Sequence, residues 1–128
     1  MTPKKIYNIT TGSLSWHKSS STFVGSGITK KNILFSYHSN WLGPGRWKIE
    51  LVTDKNKLIL CPIENLKIIK LGSTTINQVR IENDIDINYK PGLFKQVNSF
   101  LKLDESILCT LNEQVLNTKF YNKISNYE

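Results

Sequence analysis

The side chains able to do chemistry in this chain are few, and they lie in three short segments. Trp16, His17 and Lys18 are consecutive, His38, Asn40 and Trp41 end an alternating run, and Arg46 follows after one turn. Imidazole, ammonium and guanidinium groups interleaved with indoles suit a hydroxyl-rich or carboxylate ligand. The polar groups donate to its oxygens, and Arg alone can grip a carboxylate in a bidentate way. His17, Lys18, His38, Asn40 and Arg46 are therefore the candidate substrate-binding residues. The opposing reading is structural. Trp16, Trp41 and Trp47 then fill a core or an interface, His38 and Lys18 lie on a solvated sheet face, and Arg46 pairs with Glu50 or Glu64.

No catalytic, cofactor-binding or metal-ligating set can be assigned. The nearest approach to a dinucleotide-binding G-x-G-x-x-G is Gly25-Ser26-Gly27, with Lys30 where the third glycine belongs. There is no phosphate-binding P-loop, no H-E-x-x-H and no G-x-S-x-G, and His17 and His38 have no carboxylate nearby in sequence. Cys61 and Cys109 lack C-x-x-C spacing and are expected to be reduced core thiols. A Cys61–His38 nucleophile pair is disfavoured, because Cys61 lies in an apolar run beside Pro62 where a thiolate is poorly solvated.

Composition narrows the class. A chain of 128 residues with 39% apolar side chains suits one modest globular domain. The net charge of +7 would fit nucleic acid, but 15 of the 17 cations are Lys, without the clustered Arg that base readout favours, so no nucleic-acid partner is expected. No apolar segment approaches a leader or a membrane span, which makes a cytosolic protein without a membrane partner the expectation.

The elements that must position these groups follow from periodicity. Ile33 to Trp41 alternates, with Phe35, Tyr37 and Trp41 on one face and Leu34, Ser36, His38 and Asn40 on the other. Gly43-Pro44-Gly45 reads as the turn of a hairpin to a second strand, Arg46 to Val52, and Lys57 to Cys61 extends this to an antiparallel meander. Further strands are expected at Leu66 to Leu71, Gln78 to Glu82, near Leu14 to Trp16 and, more weakly, at Thr22 to Val24, with a bend at Gly25-Ser26-Gly27. Beyond Pro91, Leu93, Phe94, Val97, Phe100 and Leu101 form the apolar stripe of a helix expected to cover a sheet face. Thr110-Leu111-Asn112-Glu113 is a capping box opening a second helix with an inner face of Leu111, Val115, Tyr121 and Ile124. The fold class is α+β, a predominantly antiparallel open sheet with C-terminal helices packed on one face.

The segments Trp16-His17-Lys18, Phe23 to Thr29, Phe35 to Trp41, Gly43 to Trp47 and Tyr89 to Phe94, continuing through Leu108-Cys109-Thr110-Leu111, resemble one family in order and spacing. The chain is similar to the C-terminal domain of the glucose-fructose oxidoreductase, inositol dehydrogenase and MocA family, most of all to members from surface-polysaccharide and nucleotide-sugar loci. The resemblance implies a substrate-side and oligomerisation domain, residues 1 to 128, of an NAD(P)-dependent sugar or nucleotide-sugar oxidoreductase. The N-terminal Rossmann domain is absent, as are the family's Glu-Lys-Pro and D-x-G-x-H motifs, so no catalytic residue is carried over. A truncated or split C-terminal half, inactive alone, is the expectation. NAD or NADP is expected only with a separate Rossmann-domain polypeptide, and self-association is expected through a sheet face. The alternative is a stand-alone carbohydrate-binding or self-association module.

Overall fold

The computed structural model describes residues 2–127. In chain order the elements are β1 (Pro3–Thr11), β2 (Thr22–Thr29), β3 (Leu34–Asn40), β4 (Ile49–Val52), β5 (Asn56–Leu60), β6 (Leu66–Lys70), β7 (Asn77–Gln78), α1 (Asp84–Asn88), α2 (Leu93–Leu101) and α3 (Leu111–Ser125). They fall into two compact units. One holds the chain up to Gly43 and again from Cys109, and the other is Pro44–Leu108. Both sheets are antiparallel and open, so the class is α+β as the patterning predicts.

In the first unit the strand order is β1-β2-β3. Residues directly opposite one another share a face. The register therefore places Ile6, Asn8 and Thr10 with Phe23, Gly25 and Gly27 and with Phe35, Tyr37 and Ser39. This face is covered by α3, which packs on β1 and β2, and Ile6 and Phe23 are buried there. The opposite face carries Tyr7, Ile9, Val24, Leu34, Ser36 and His38 and is open. Two corrections belong here. Gly25-Ser26-Gly27 is no bend but the middle of β2, and the strand expected only at Thr22 to Val24 continues to Thr29. The physical reason is that the Phe35 and Tyr37 rings lie against Gly27 and Gly25, where no Cβ would fit. Around Leu14 to Trp16 there is only a single bridge, Leu14 with His17, inside a turn.

The capping box forms as read. Thr110 Oγ1 accepts from the Glu113 N–H at 3.3 Å, and Glu113 Oε2 accepts from the Thr110 N–H at 2.9 Å. Thr110→Ala is expected to cost about 1 kcal/mol, seen as a lower urea midpoint with an unchanged slope. The inner face of α3 is shifted from the expected one. Asn117, Phe120 and Ile124 are half-buried, while Leu111, Val115 and Tyr121 are exposed. Only the second half of α3 meets the sheet closely enough to bury apolar groups, so the first-turn leucine has no neighbour to cover it.

The second unit is a meander with order β4-β5-β6-β7. The expected hairpin between Ile33–Trp41 and Arg46–Val52 does not form: β3 pairs with β2, and β4 starts only at Ile49 and pairs with β5. Gly43-Pro44-Gly45 lacks a β-turn closing hydrogen bond, and the partner of β3 comes from the chain before it. The strand expected at Gln78 to Glu82 is reduced to Asn77–Gln78. One sheet face collects Ile49, Leu51, Leu58, Leu60, Leu66 and Ile68. Helix α2 neighbours α1 and packs on none of these strands. Its apolar stripe is exposed, Phe100 at 70%, while its one buried residue is Ser99.

Among the described residues, Glu50 on β4 is the one strongly perturbed carboxyl. Lys48 Nζ lies at 2.6 Å and Lys57 Nζ at 2.8 Å, the latter a diagonal cross-strand neighbour. These two donors hold the carboxyl from its ordinary 4.5 down to about 2. A folded-state value below the unfolded one contributes stability above the unfolded value, lost as pH falls toward the folded one. The loss therefore falls between pH 4.5 and about 2. Glu50→Gln is expected to flatten the dependence of the urea midpoint on pH in that window, and a profile identical to wild type would remove the ion-pair account.

Candidate functional site

The β1–β2 loop and the residues just after β3 and α3 bring four aromatic rings together in the first unit. Trp16 and Trp41 meet edge to face with centroids 6.3 Å apart. His17 lies 5.5 Å from Trp16 and stacks on Tyr127 at 5.4 Å with 24° between planes. The indoles are 68% and 58% exposed, so they fill no core. The local chain explains their placement. The Trp41 N–H donates to Ser21 O, continuing the β2–β3 ladder past the strand end and fixing Trp41 beside the loop. The Leu14–His17 turn sets Trp16 next to it. Asn40 Oδ1 accepts from the Leu42 N–H at 2.9 Å and holds the chain as it leaves β3.

Of the candidate residues, His17 joins this cluster directly. Its Nδ1 accepts from the Ser19 N–H at 3.1 Å, which leaves Nε2 for a ligand. Lys18 is its exposed chain neighbour. Asn40 has its side-chain oxygen engaged locally, and its exposed position on the open sheet face is shared with His38, which sits opposite Val24. Arg46 is exposed and belongs to the second unit, in the segment before β4. Glu50, one of its two expected partners, is taken by Lys48 and Lys57. Tyr127 is the member that sequence reasoning missed; it follows the α3 cap at Asn126, which turns left-handed with φ 53° and aims the chain back at the loop. Trp47, grouped with the other indoles on paper, lies 77% exposed in the second unit.

The sheet beneath the loop is held by an aromatic–glycine arrangement. The Tyr37 hydroxyl is pressed against Gly25 and has no hydrogen-bond partner, and burial pushes its pKa up. Nothing in this geometry activates the phenol, and its ring serves as a lid over the glycine backbone.

The second unit has an open depression of about 640 Å³ around Arg80, Glu82, Asp84, Ile85, Phe94 and Lys95. Its carboxylates, Glu82, Asp84 and Asp86, are flanked by Arg80 and Lys95, so it presents no single sign of charge to a ligand. Asp86 is occupied in accepting the Gly92 N–H at 2.9 Å. Among the described residues no group of three or more His, Cys, Asp or Glu side chains is placed to hold a metal ion, and no helix is long and apolar enough to cross a membrane. Cys109 is exposed and Cys61 half-buried, so neither is the fully buried core thiol expected from composition.

No family model, no curated protein and no solved structure matches the chain.

Proposed function

We propose that this chain is the substrate-side and assembly domain of an NAD(P)-dependent sugar or nucleotide-sugar oxidoreductase, working with a nucleotide-binding partner half. The observation that carries the sugar-binding part is the exposed Trp16–Trp41 pair beside His17 and Lys18. Indole faces stack on the apolar C–H face of a pyranose, and the imidazole Nε2 and the ammonium offer donors to ring hydroxyls or a uronate carboxylate. The oxidoreductase part is supported by the ordered segments from Trp16 to Leu111 that resemble one family. The chain supplies no glycine-rich turn for a pyrophosphate, so the cofactor belongs to the partner.

The test uses tryptophan fluorescence with glucose and glucuronate as probes, and calorimetry with NADH and NADPH. A saturable change with either sugar is expected, weakened about tenfold by Trp41→Ala. No saturable binding of either nucleotide is expected. Micromolar nucleotide binding, or sugar binding unchanged by Trp16→Ala and Trp41→Ala together, would overturn the reading.

A second reading, self-association, is favoured by the area the chain leaves uncovered. Its accessible surface is 10822 Å². Two compact units of half its mass would together expose roughly 8,400 Å². The surplus of about 2,400 Å² exceeds the roughly 800 Å² per partner of a standard interface. The open face of the β1-β2-β3 sheet is the surface best formed for a second copy: among its Lys5, Tyr7, Ile9, Val24, Ser26, Ile28, Leu34, Ser36 and His38, Lys5 is the one lysine, and no carboxylate is present. Depletion of charge at the centre is what distinguishes an interface from ordinary surface.

A further inference from the structure

We propose that the β2–β3 turn end of the first sheet is a docking surface for an anionic lipid bilayer. The patch consists of Lys4, Lys5, Lys30 and Lys31 with Ile33 beside them, all exposed. Charge in this chain is unevenly divided. Residues 1–43 hold five lysines and neither Asp nor Glu, whereas residues 44–108 set eight carboxylates against ten cations. Among the described residues the first unit's one carboxylate is Glu113, which is engaged by Thr110 in the helix cap, and no carboxylate pairs with any of the four lysines. A cluster of one sign with nothing to neutralise it is complementary to a negative surface.

The fold fixes the cluster in place. Lys30-Lys31-Asn32 is a three-residue hairpin connection closed by Asn32, which turns left-handed at φ 59°. Buried Thr29 clamps its base. The Thr29 N–H donates to Ile33 O at 2.9 Å, its carbonyl accepts from the Asn32 N–H at 2.9 Å, and its Oγ1 accepts from the Ile33 N–H at 3.0 Å. The Lys30 N–H donates to Thr2 O at 3.0 Å, which seats the turn beside the start of β1 and so beside Lys4. Lys5 stands one residue further along β1, its ammonium 4.8 Å from the Tyr7 ring centre. The lysines are therefore presented without the ordering cost of a mobile tail.

Residue type chooses the occupant. Residues 2–5 and 29–33 contain no Arg to read a base edge and no aromatic ring to stack on a base or a sugar. The stacking rings of Trp16 and Trp41 lie at the opposite end of β2, where the Trp41 N–H meets Ser21 O. What stands beside the lysines is the aliphatic Ile33. Ammonium groups on long apolar stems settle among headgroup phosphates while an aliphatic side chain enters the acyl boundary. The expectation of no membrane partner rests on the lack of a span, and a surface contact needs none.

The patch uses no residue of the ring cluster, so it stands or falls apart from sugar binding. The whole chain is sedimented with phosphatidylcholine vesicles, with and without phosphatidylserine at about one lipid in four. Binding is expected to the mixed vesicles alone and is expected to fall as salt is raised. Lys30→Gln with Lys31→Gln is expected to weaken it about thirtyfold, and Ile33→Ser about fivefold. Lys55→Gln with Lys70→Gln, which removes the same charge from exposed positions of the second unit, is expected to leave it within about twofold. No binding to the mixed vesicles, equal binding to both kinds, or a loss as large in the second-unit variant would overturn the proposal. So would saturable binding of an oligothymidylate that Lys30→Gln with Lys31→Gln abolishes, since that assigns the patch to nucleic acid.

Discussion

Gly27→Ala is expected to be the most damaging single methyl that can be added to the first unit, costing about 3 kcal/mol. The residue lies in the middle of the central strand with ordinary extended geometry, so backbone strain is not the cause. The cause is space. An added Cβ would stand 2.5 Å from Phe35 Cζ and closer still to the Lys5 carbonyl oxygen of the neighbouring strand. A side chain can rotate away, but a carbonyl in a ladder cannot move without breaking register, so both strands must give. Gly25→Ala meets the same geometry, with the Tyr37 hydroxyl and ring on one side and the Tyr7 carbonyl oxygen at 2.6 Å on the other. Tyr37→Phe alone is expected to be neutral or slightly stabilising, since the hydroxyl it removes is buried and unpartnered. It should return only part of the loss when combined with Gly25→Ala, because the backbone contact remains. Gly43→Ala is the control. Its added carbon would meet the end of the Asn40 side chain at 3.2 Å, and the change should lie within about 1 kcal/mol of wild type. Urea midpoints on the four single variants and the double variant decide the matter, and a Gly27→Ala protein as stable as Gly43→Ala would refute the packing account.

That arrangement also explains what the sequence did and did not disclose. Alternation in Leu34 to Asn40 was legible because sheet period and hydrophobicity agree there, and so was the capping box, which is a local exchange between Thr110 and Glu113. Gly25 and Gly27 misled because a glycine pair spells a bend until the aromatic rings of the next strand are placed over it, a tertiary fact. The strand β1 was absent from the reading because its Lys, Asn and Thr side chains blur the alternation that Ile6, Tyr7 and Ile9 would otherwise show. The hairpin error has a similar root: a Gly-Pro-Gly segment specifies a change of direction and says nothing of which strand will be the partner. At the candidate site, the loop residues Trp16 and His17 were found by residue type, and Trp41 by its strand. Tyr127 could be found only through the left-handed cap that follows α3, which brings the chain end to the loop.

On the proposed self-association, placing a charge at Val24 is expected to abolish the dimer while leaving the monomer folded. Val24 is half exposed at the centre of the open face, flanked by Ile9 on β1 and His38 on β3. If two such faces stack with a two-fold axis lying close to β2, each β1 residue sits over a β3 residue of the second copy at the same level along the strand. Tyr7 then covers the partner's small Ser36, and Lys5 meets the partner's Leu34 instead of its lysine. Val24, Ser26 and Ile28 each meet their own copies, two apolar contacts flanking a serine pair. An axis across the strands at the level of Gly25 would instead set Leu34 against Asn40 and Ile28 against Thr22, apolar on polar, a poorer match than the lengthwise axis. In that orientation Val24→Lys brings two ammonium groups together, and Val24→Asp two carboxylates. Either should weaken the dimer at least about a hundredfold, about 2.7 kcal/mol. Mixing the two variants puts the ammonium of one against the carboxylate of the other, and association should return in the mixture alone. Sedimentation equilibrium reads this as a mass of 14.7 kDa for each variant and twice that for the mixture. A wild-type chain that remains at 14.7 kDa at high concentration, or variants that associate as well as wild type, would show that something other than a second copy covers this face.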